Sequence, residues 1–96
     1  MSITLIVHVE ASEGKAEELL AFLLKVREST LNVADCELFD VYQRKDAPNK
    51  LLLFERWASA DAQQAHFEKN VKGSGLLERL GSLLTAPPRQ ERYMAC

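Results

Sequence analysis

Cysteine is scarce in this sequence. Cys36 and Cys96 are its two thiols, and they form no short-spaced metal or redox motif. Cys96 stands last and is expected to fray, so two reduced thiols are expected rather than a disulfide framework. Histidine is equally scarce. His8 and His66 sit in no metal-ligand spacing, and no metal site is expected. No Lys/Arg run argues for nucleic acid and no acidic tail argues for a charged partner. The net charge of −2 comes from 12 bases and 14 acids mixed along the chain. There is no GxGxxG or Walker sequence to signal a nucleotide loop, and no serine or cysteine in a nucleophile-elbow context. No repeat, low-complexity stretch or linker divides the chain. No apolar run approaches the roughly twenty residues that cross a bilayer. The apolar opening, Ile3 to Val9, is interrupted by His8 and followed by Glu10. It lacks a basic leader and a small-residue cleavage site, so it reads as a strand and not as a signal peptide. A cytoplasmic location is expected, with neither membrane nor nucleic acid as partner.

What is present fits one globular domain over residues 1–96, with 47% apolar residues. A chain this short buries a modest fraction of its surface, so its stability margin is thin, and pairing with a second copy would add core.

Ile3 to Glu10 alternates, with Ile3, Leu5, Val7 and Val9 on one face and Thr4, Ile6, His8 and Glu10 on the other. That period and the β-branched residues predict a strand. Its second face is mixed, as a cavity wall would be. Ser12 is the predicted N-cap of a long amphipathic helix, with Glu13 at its positive end. Ala16, Leu19, Leu20, Leu23 and Val26 or Arg27 recur at helical spacing as its stripe, and it ends near Thr30 to Val33. Cys36 to Arg44 reads as a second strand, Lys45 to Lys50 as a turn, and Leu51 to Trp57 as a third strand, making a hairpin. Ser59 is predicted to cap a short helix with Asp61 in its first turn; Ala62, Ala65, His66 and Lys69 share one side of it. Asn70 to Gly75 interrupts, Leu76 to Leu84 is helical again, and Pro87 and Pro88 stop it. Arg89 to Met94 suits a final strand.

This order predicts an α+β, ferredoxin-like split βαβ fold: a four-stranded antiparallel sheet with helices on one face. The other sheet face carries apolar residues that need cover. A second copy packed there, closing a dimeric α+β barrel, is the expected solution.

Candidate chemistry gathers around Glu55, Trp57 and His66. Leu53, Glu55 and Trp57 share a strand face, and a short connection leads to the helix bearing His66. A glutamate can hold an imidazole in one tautomer, a histidine can move protons, and a tryptophan gives an aromatic ligand a flat wall. Leu53 and Tyr42 are further candidate ring contacts, and His8 is a second candidate for proton transfer. Each also fits a structural role: Trp57 as core, His66 as a buried histidine with a satisfied bond, Glu55 as an ion-pair partner, His8 as one polar residue on a mixed face.

The run Leu52-Leu53-Phe54-Glu55-Arg56-Trp57, followed by Ala58-Ser59, an alanine-rich helix and Ala65-His66, resembles the antibiotic biosynthesis monooxygenase family. The likeness extends to Val9–Lys15, Phe39–Gln43 and Leu80–Arg89. It implies a dimer with a ligand cavity in each subunit. It also implies oxidation of a quinol-like or phenolic small molecule by molecular oxygen without cofactor. On that model His66 or His8 manages protons, Trp57 packs against the ring and Glu55 orients an imidazole. Other branches of the family isomerise or process a phosphorylated signal, or degrade haem. Relatives of the first kinds often carry H-x-x-[ST]-P-H; here the run is His66-Phe67-Glu68-Lys69-Asn70-Val71, with Val71 where the second histidine would stand. The haem-degrading branch needs a tryptophan where His66 stands. The alternatives to a monooxygenase are therefore an oxygen-independent isomerase or processing enzyme for a small signal or carbonyl compound, and a non-catalytic ligand-binding dimer module.

Overall fold

Strict alternation makes Ile3–Glu10 the strand β1, every second side chain of which is buried. The structure, a computed structural model, describes residues 1–96. After β1 come helix α1 (Ala16–Thr30), strands β2 (Cys36–Arg44) and β3 (Ala47–Trp57) and helix α2 (Ala60–His66). A π-helical segment (Phe67–Lys72), helix α3 (Leu76–Gly81) and strand β4 (Arg89–Met94) complete the chain. The four strands form one antiparallel sheet in the order β2-β3-β1-β4. This is the predicted ferredoxin-like α+β arrangement.

The core lies between the helices and one face of the sheet. Leu5 and Val7 of β1 and Leu51 and Leu53 of β3 meet Leu19 and Leu23 of α1, which are fully buried. Those two leucines sit one turn apart on the apolar stripe and each contributes roughly 2 kcal/mol by burial. The opposite sheet face has no helix over it. Ile6, Leu52 and Phe54 are half-buried there beside the exposed Tyr42 and Tyr93.

Local details differ from the sequence expectations at identifiable places. Ser12 does not cap α1. Its carbonyl accepts the Lys15 N–H at 2.9 Å, closing a turn in which Gly14 takes φ +78, and the helix starts at Ala16 with no side-chain cap. The glycine makes that turn cheap, because positive φ costs it nothing. The hairpin turn is shorter than expected, and β3 begins at Ala47. A register shift between Gln43 and Arg44 takes up the extra residues, so Pro48, with no N–H to give, sits in a bulge. The Gln43 amide nitrogen donates to the Pro48 carbonyl at 2.8 Å. Ser59 does cap α2, accepting the Ala62 N–H at 3.1 Å.

The expected interruption after His66 is smaller. The chain runs from α2 into the wider π turn Phe67–Lys72 and breaks at Gly73–Gly75. A Cβ at Gly73 would stand 3.0 Å from the Lys69 carbonyl oxygen, so a larger residue would make the exit shift by a few tenths of an ångström. The segment after α3 is tied back to β1: Ser12 N–H donates to the Leu83 carbonyl at 2.8 Å and Thr85 N–H to the Glu10 carbonyl at 3.0 Å.

Candidate functional site

The inward alternation of β3 is Leu51, Leu53, Glu55, Trp57, and all four are buried. The Glu55 carboxyl is thus carried under the helices by strand geometry alone, and the residue is 7% exposed. Its partner is the indole two residues on: Trp57 Nε1 donates to Glu55 Oε1 at 2.9 Å. Burial pushes the carboxyl up to about 7, and the indole bond, which favours the charged form, offsets part of that rise.

Trp57 is fully buried, and its ring centroid lies 4.7 Å from that of His66, with planes tilted by 35°. Such an offset, tilted pair is a favourable aromatic arrangement. Burial also lowers the pKa of His66, which favours the neutral imidazole. The Asn70 amide nitrogen lies 3.1 Å from His66 Nδ1. With that amide donating, Nδ1 accepts and the neutral ring carries its proton on Nε2.

A cavity of about 80 Å³ opens beside these groups. Leu5, Val7 and Leu53 form its floor, Phe22 and Val26 of α1 one wall, and Phe67, Val71 and Leu76 another. Its polar lining is sparse: Thr30, Glu55, Gln63, His66 and Gln90. Gln63 is 3% exposed, and its Oε1 is the one buried side-chain oxygen or nitrogen with no hydrogen-bond partner. No three of the His, Cys, Asp and Glu side chains converge as a metal site requires.

The predicted site residues therefore divide. Glu55, Leu53 and His66 line one cavity. Trp57 lies behind it, joining Glu55 by a hydrogen bond and His66 by its ring, where a wall for the ligand was expected. Glu55 holds this indole and not an imidazole. His8 and Tyr42 are on the opposite sheet face, both in register with Leu52. His8 Nε2 meets Glu91 Oε1 at 2.7 Å, and this bond is the main cause that holds the Glu91 carboxyl below its usual range. The cavity thus lies on the apolar face of β1, and its polar groups come from β3 (Glu55), α2 (Gln63 and His66), α1 (Thr30) and β4 (Gln90). Gln63 was missed from sequence. Its signal was spacing: Gln63, His66 and Phe67 lie at i, i+3 and i+4 on one helical face.

Comparison with known proteins adds the following. The family model described as antibiotic biosynthesis monooxygenase matches residues 2–70, the stretch that holds Glu55, Trp57, Gln63 and His66. No curated protein sequence matches. Among solved structures, the chain is similar to a conserved protein from Methanosarcina mazei Go1, with TM-score 0.89 and 19% identity over 100% of this chain and 94% of that one. It is similar to Rv0793 from Mycobacterium tuberculosis, with TM-score 0.87 and 23% identity over 100% of this chain and 96% of that one. It is also similar to PA3566 from Pseudomonas aeruginosa, with TM-score 0.83 and 22% identity over 99% of this chain and 94% of that one. At these identities the likeness is one of fold.

Proposed function

This chain belongs to the antibiotic biosynthesis monooxygenase family, and on that premise we propose that it oxidises a small hydroquinone or phenol with molecular oxygen, without a cofactor, in the cavity beside Glu55. The observation that carries this reading is a carboxyl held at about 7 against an apolar chamber with few other polar groups. A carboxylate with that pKa is half ionised at neutral pH and is a stronger base than an ordinary glutamate.

The chemistry needs little else. Glu55 takes the proton of a ring hydroxyl, and the resulting phenolate is rich enough in electrons to reduce oxygen. One oxygen atom ends on the ring and the other leaves as water. For 1,4-hydroquinone the products are hydroxybenzoquinone and water, and the substrate itself supplies all four electrons that reduce the oxygen. The apolar walls exclude bulk water from the intermediates. His66, with its proton on Nε2, donates to the negative charge that develops on oxygen. Trp57 holds Glu55 and His66 in place from behind.

Size selects among phenols. A cavity of about 150 Å³ accepts benzene, so one of about 80 Å³ takes a single ring only when its wall yields. The yielding wall is the π-helical segment, which supplies Val71, and the Gly73–Gly75 exit, which leads into Leu76 of α3. Polycyclic phenols are disfavoured.

The second element of the reading is a homodimer. Ile6, Leu52 and Phe54 give the uncovered sheet face an apolar centre, and a second sheet packed on it would remove that surface from water.

Oxygen uptake by the purified protein against single-ring hydroquinones tests the reaction. Uptake is expected for the wild type, with Glu55→Gln slower by about 10²–10⁴-fold, as for loss of a general base. Equal uptake by Glu55→Gln, or none by the wild type, would sink the proposal. Anaerobic turnover of a carbonyl compound would replace it with the isomerase reading.

A further inference from the structure

Gln63 is the one residue of α2 that is buried, and nothing in the protein explains its side chain. No protein donor reaches its Oε1, although the residue is 3% exposed and lines the cavity. Buried amide oxygens are paired in folded proteins almost without exception, because desolvation without a new bond is costly. Leucine or methionine at this position would fill similar volume without that cost. A molecule that enters the cavity can supply the partner that Gln63 lacks, and it must then be a hydrogen-bond donor. Glu55, on the same cavity, keeps one oxygen for the Trp57 indole, and its other oxygen is available to a ligand. Glu55 and Gln63 thus offer two acceptors, set on different elements, in a chamber whose lining is otherwise mostly apolar, with Thr30, His66 and Gln90 as its other polar side chains.

We propose that Gln63 selects the substrate: its Oε1 accepts a hydrogen bond from a second hydroxyl on the ring whose first hydroxyl meets Glu55. The site then takes a dihydroxyarene in preference to a monohydric phenol of the same shape. The inference rests on reading this cavity as the substrate site, and it adds a residue that reads the ligand without touching the oxygen chemistry. A site built around a hydrogen bond rejects the analogue that lacks it, because the acceptor is then left buried and unpaired.

Binding without turnover tests this. The intact protein is titrated calorimetrically under argon with 1,4-hydroquinone and with 4-methylphenol, in which a methyl group of similar size replaces the second hydroxyl. The methyl is the more apolar group, so burial alone favours 4-methylphenol. The wild type is expected to prefer hydroquinone by on the order of tenfold. Gln63→Met keeps the chain length and removes the acceptor, and it is expected to abolish or reverse the preference; Gln63→Leu serves if the methionine variant folds poorly. The proposal fails if the wild type binds the two probes equally, if it binds neither saturably, or if either variant retains the preference. A wild type that shows the preference and takes up no oxygen would refute the oxygenase reading while leaving the role of Gln63 supported.

Discussion

Replacing Glu55 with glutamine should stabilise the folded protein at pH 8 and do much less at pH 5. The Glu55 carboxyl titrates at about 7 in the fold against 4.5 when free, mainly because burial disfavours its charge. Between those values the folded chain holds a proton that the unfolded chain has lost. Stability therefore falls as pH rises through this window, and the full penalty is present above pH ~7. Holding the carboxyl at about 7 rather than 4.5 is worth about 3 kcal/mol. Roughly 2–3 kcal/mol of that falls between pH 5 and pH 8. Glutamine cannot ionise, and its amide oxygen can still accept from Trp57 Nε1, so its own cost does not vary with pH. The assay is urea unfolding of wild type and Glu55→Gln at pH 5, 6, 7 and 8, followed by far-UV circular dichroism at one protomer concentration. Groups common to both proteins cancel in the difference. A gap between variant and wild type that stays constant across the series would refute the reasoning, because it would mean that Glu55 titrates alike in both states.

Two further outcomes follow from the same structure. Gln63→Met should raise the unfolding free energy of the ligand-free protein by about 1–3 kcal/mol, since it removes an unpaired buried oxygen; a destabilised variant in urea melts would show that Oε1 has a partner in solution. Phe54→Asp places a charge in the middle of the uncovered sheet face, opposite Asp40 in register, and should convert a dimer to a monomer by sedimentation while the circular dichroism is retained; a dimer that survives the substitution excludes that face as the interface.

The sequence disclosed whatever depends on local period. The two-residue alternation of Ile3 to Val9 and of Leu51 to Trp57 located two strands and assigned their faces, because a strand has no freedom to do otherwise. The Ser59 cap was legible because its partner lies three residues away. Ser12 was misread because the competing turn depends on one positive φ at Gly14 and on a carbonyl rather than a hydroxyl. The site was partly legible. That Glu55 and Trp57 share a face follows from alternation, but that the indole nitrogen turns back to the carboxylate depends on rotamers and the packing of His66 above. The mixed face of β1 drew attention to His8, yet composition does not say which face the helices cover. Gln63 was hidden among the alanines of α2 because a glutamine carries no hydrophobic signal, and its burial is decided by the tilt of the helix against the sheet.

Unspent hydrogen-bonding capacity separates the two clusters that the sequence could not rank. On the outer face, His8 and Glu91 satisfy each other at 2.7 Å, and Arg89 lies within 3.6 Å of the same carboxylate. Half-exposed pairs of this kind are already saturated and add little to stability. In the cavity, one oxygen of Glu55 is taken by the indole and the Gln63 oxygen is taken by nothing. Both residues weaken a domain small enough to have little stability to lose. An apolar side chain at position 63, or a neutral acceptor for the indole at position 55, would be the more stable choice, so their presence is best understood through a ligand that completes them. A dihydroxyarene brings a donor for each, and its binding free energy is then recovered in part from strain that the empty fold already carries. Hydroquinone should bind more tightly at pH 8 than at pH 5, because its hydroxyl can donate to ionised Glu55 but must compete with the carboxyl's own proton when Glu55 is neutral. The pH dependence of hydroquinone affinity therefore reports on Glu55, and the preference over 4-methylphenol reports on Gln63.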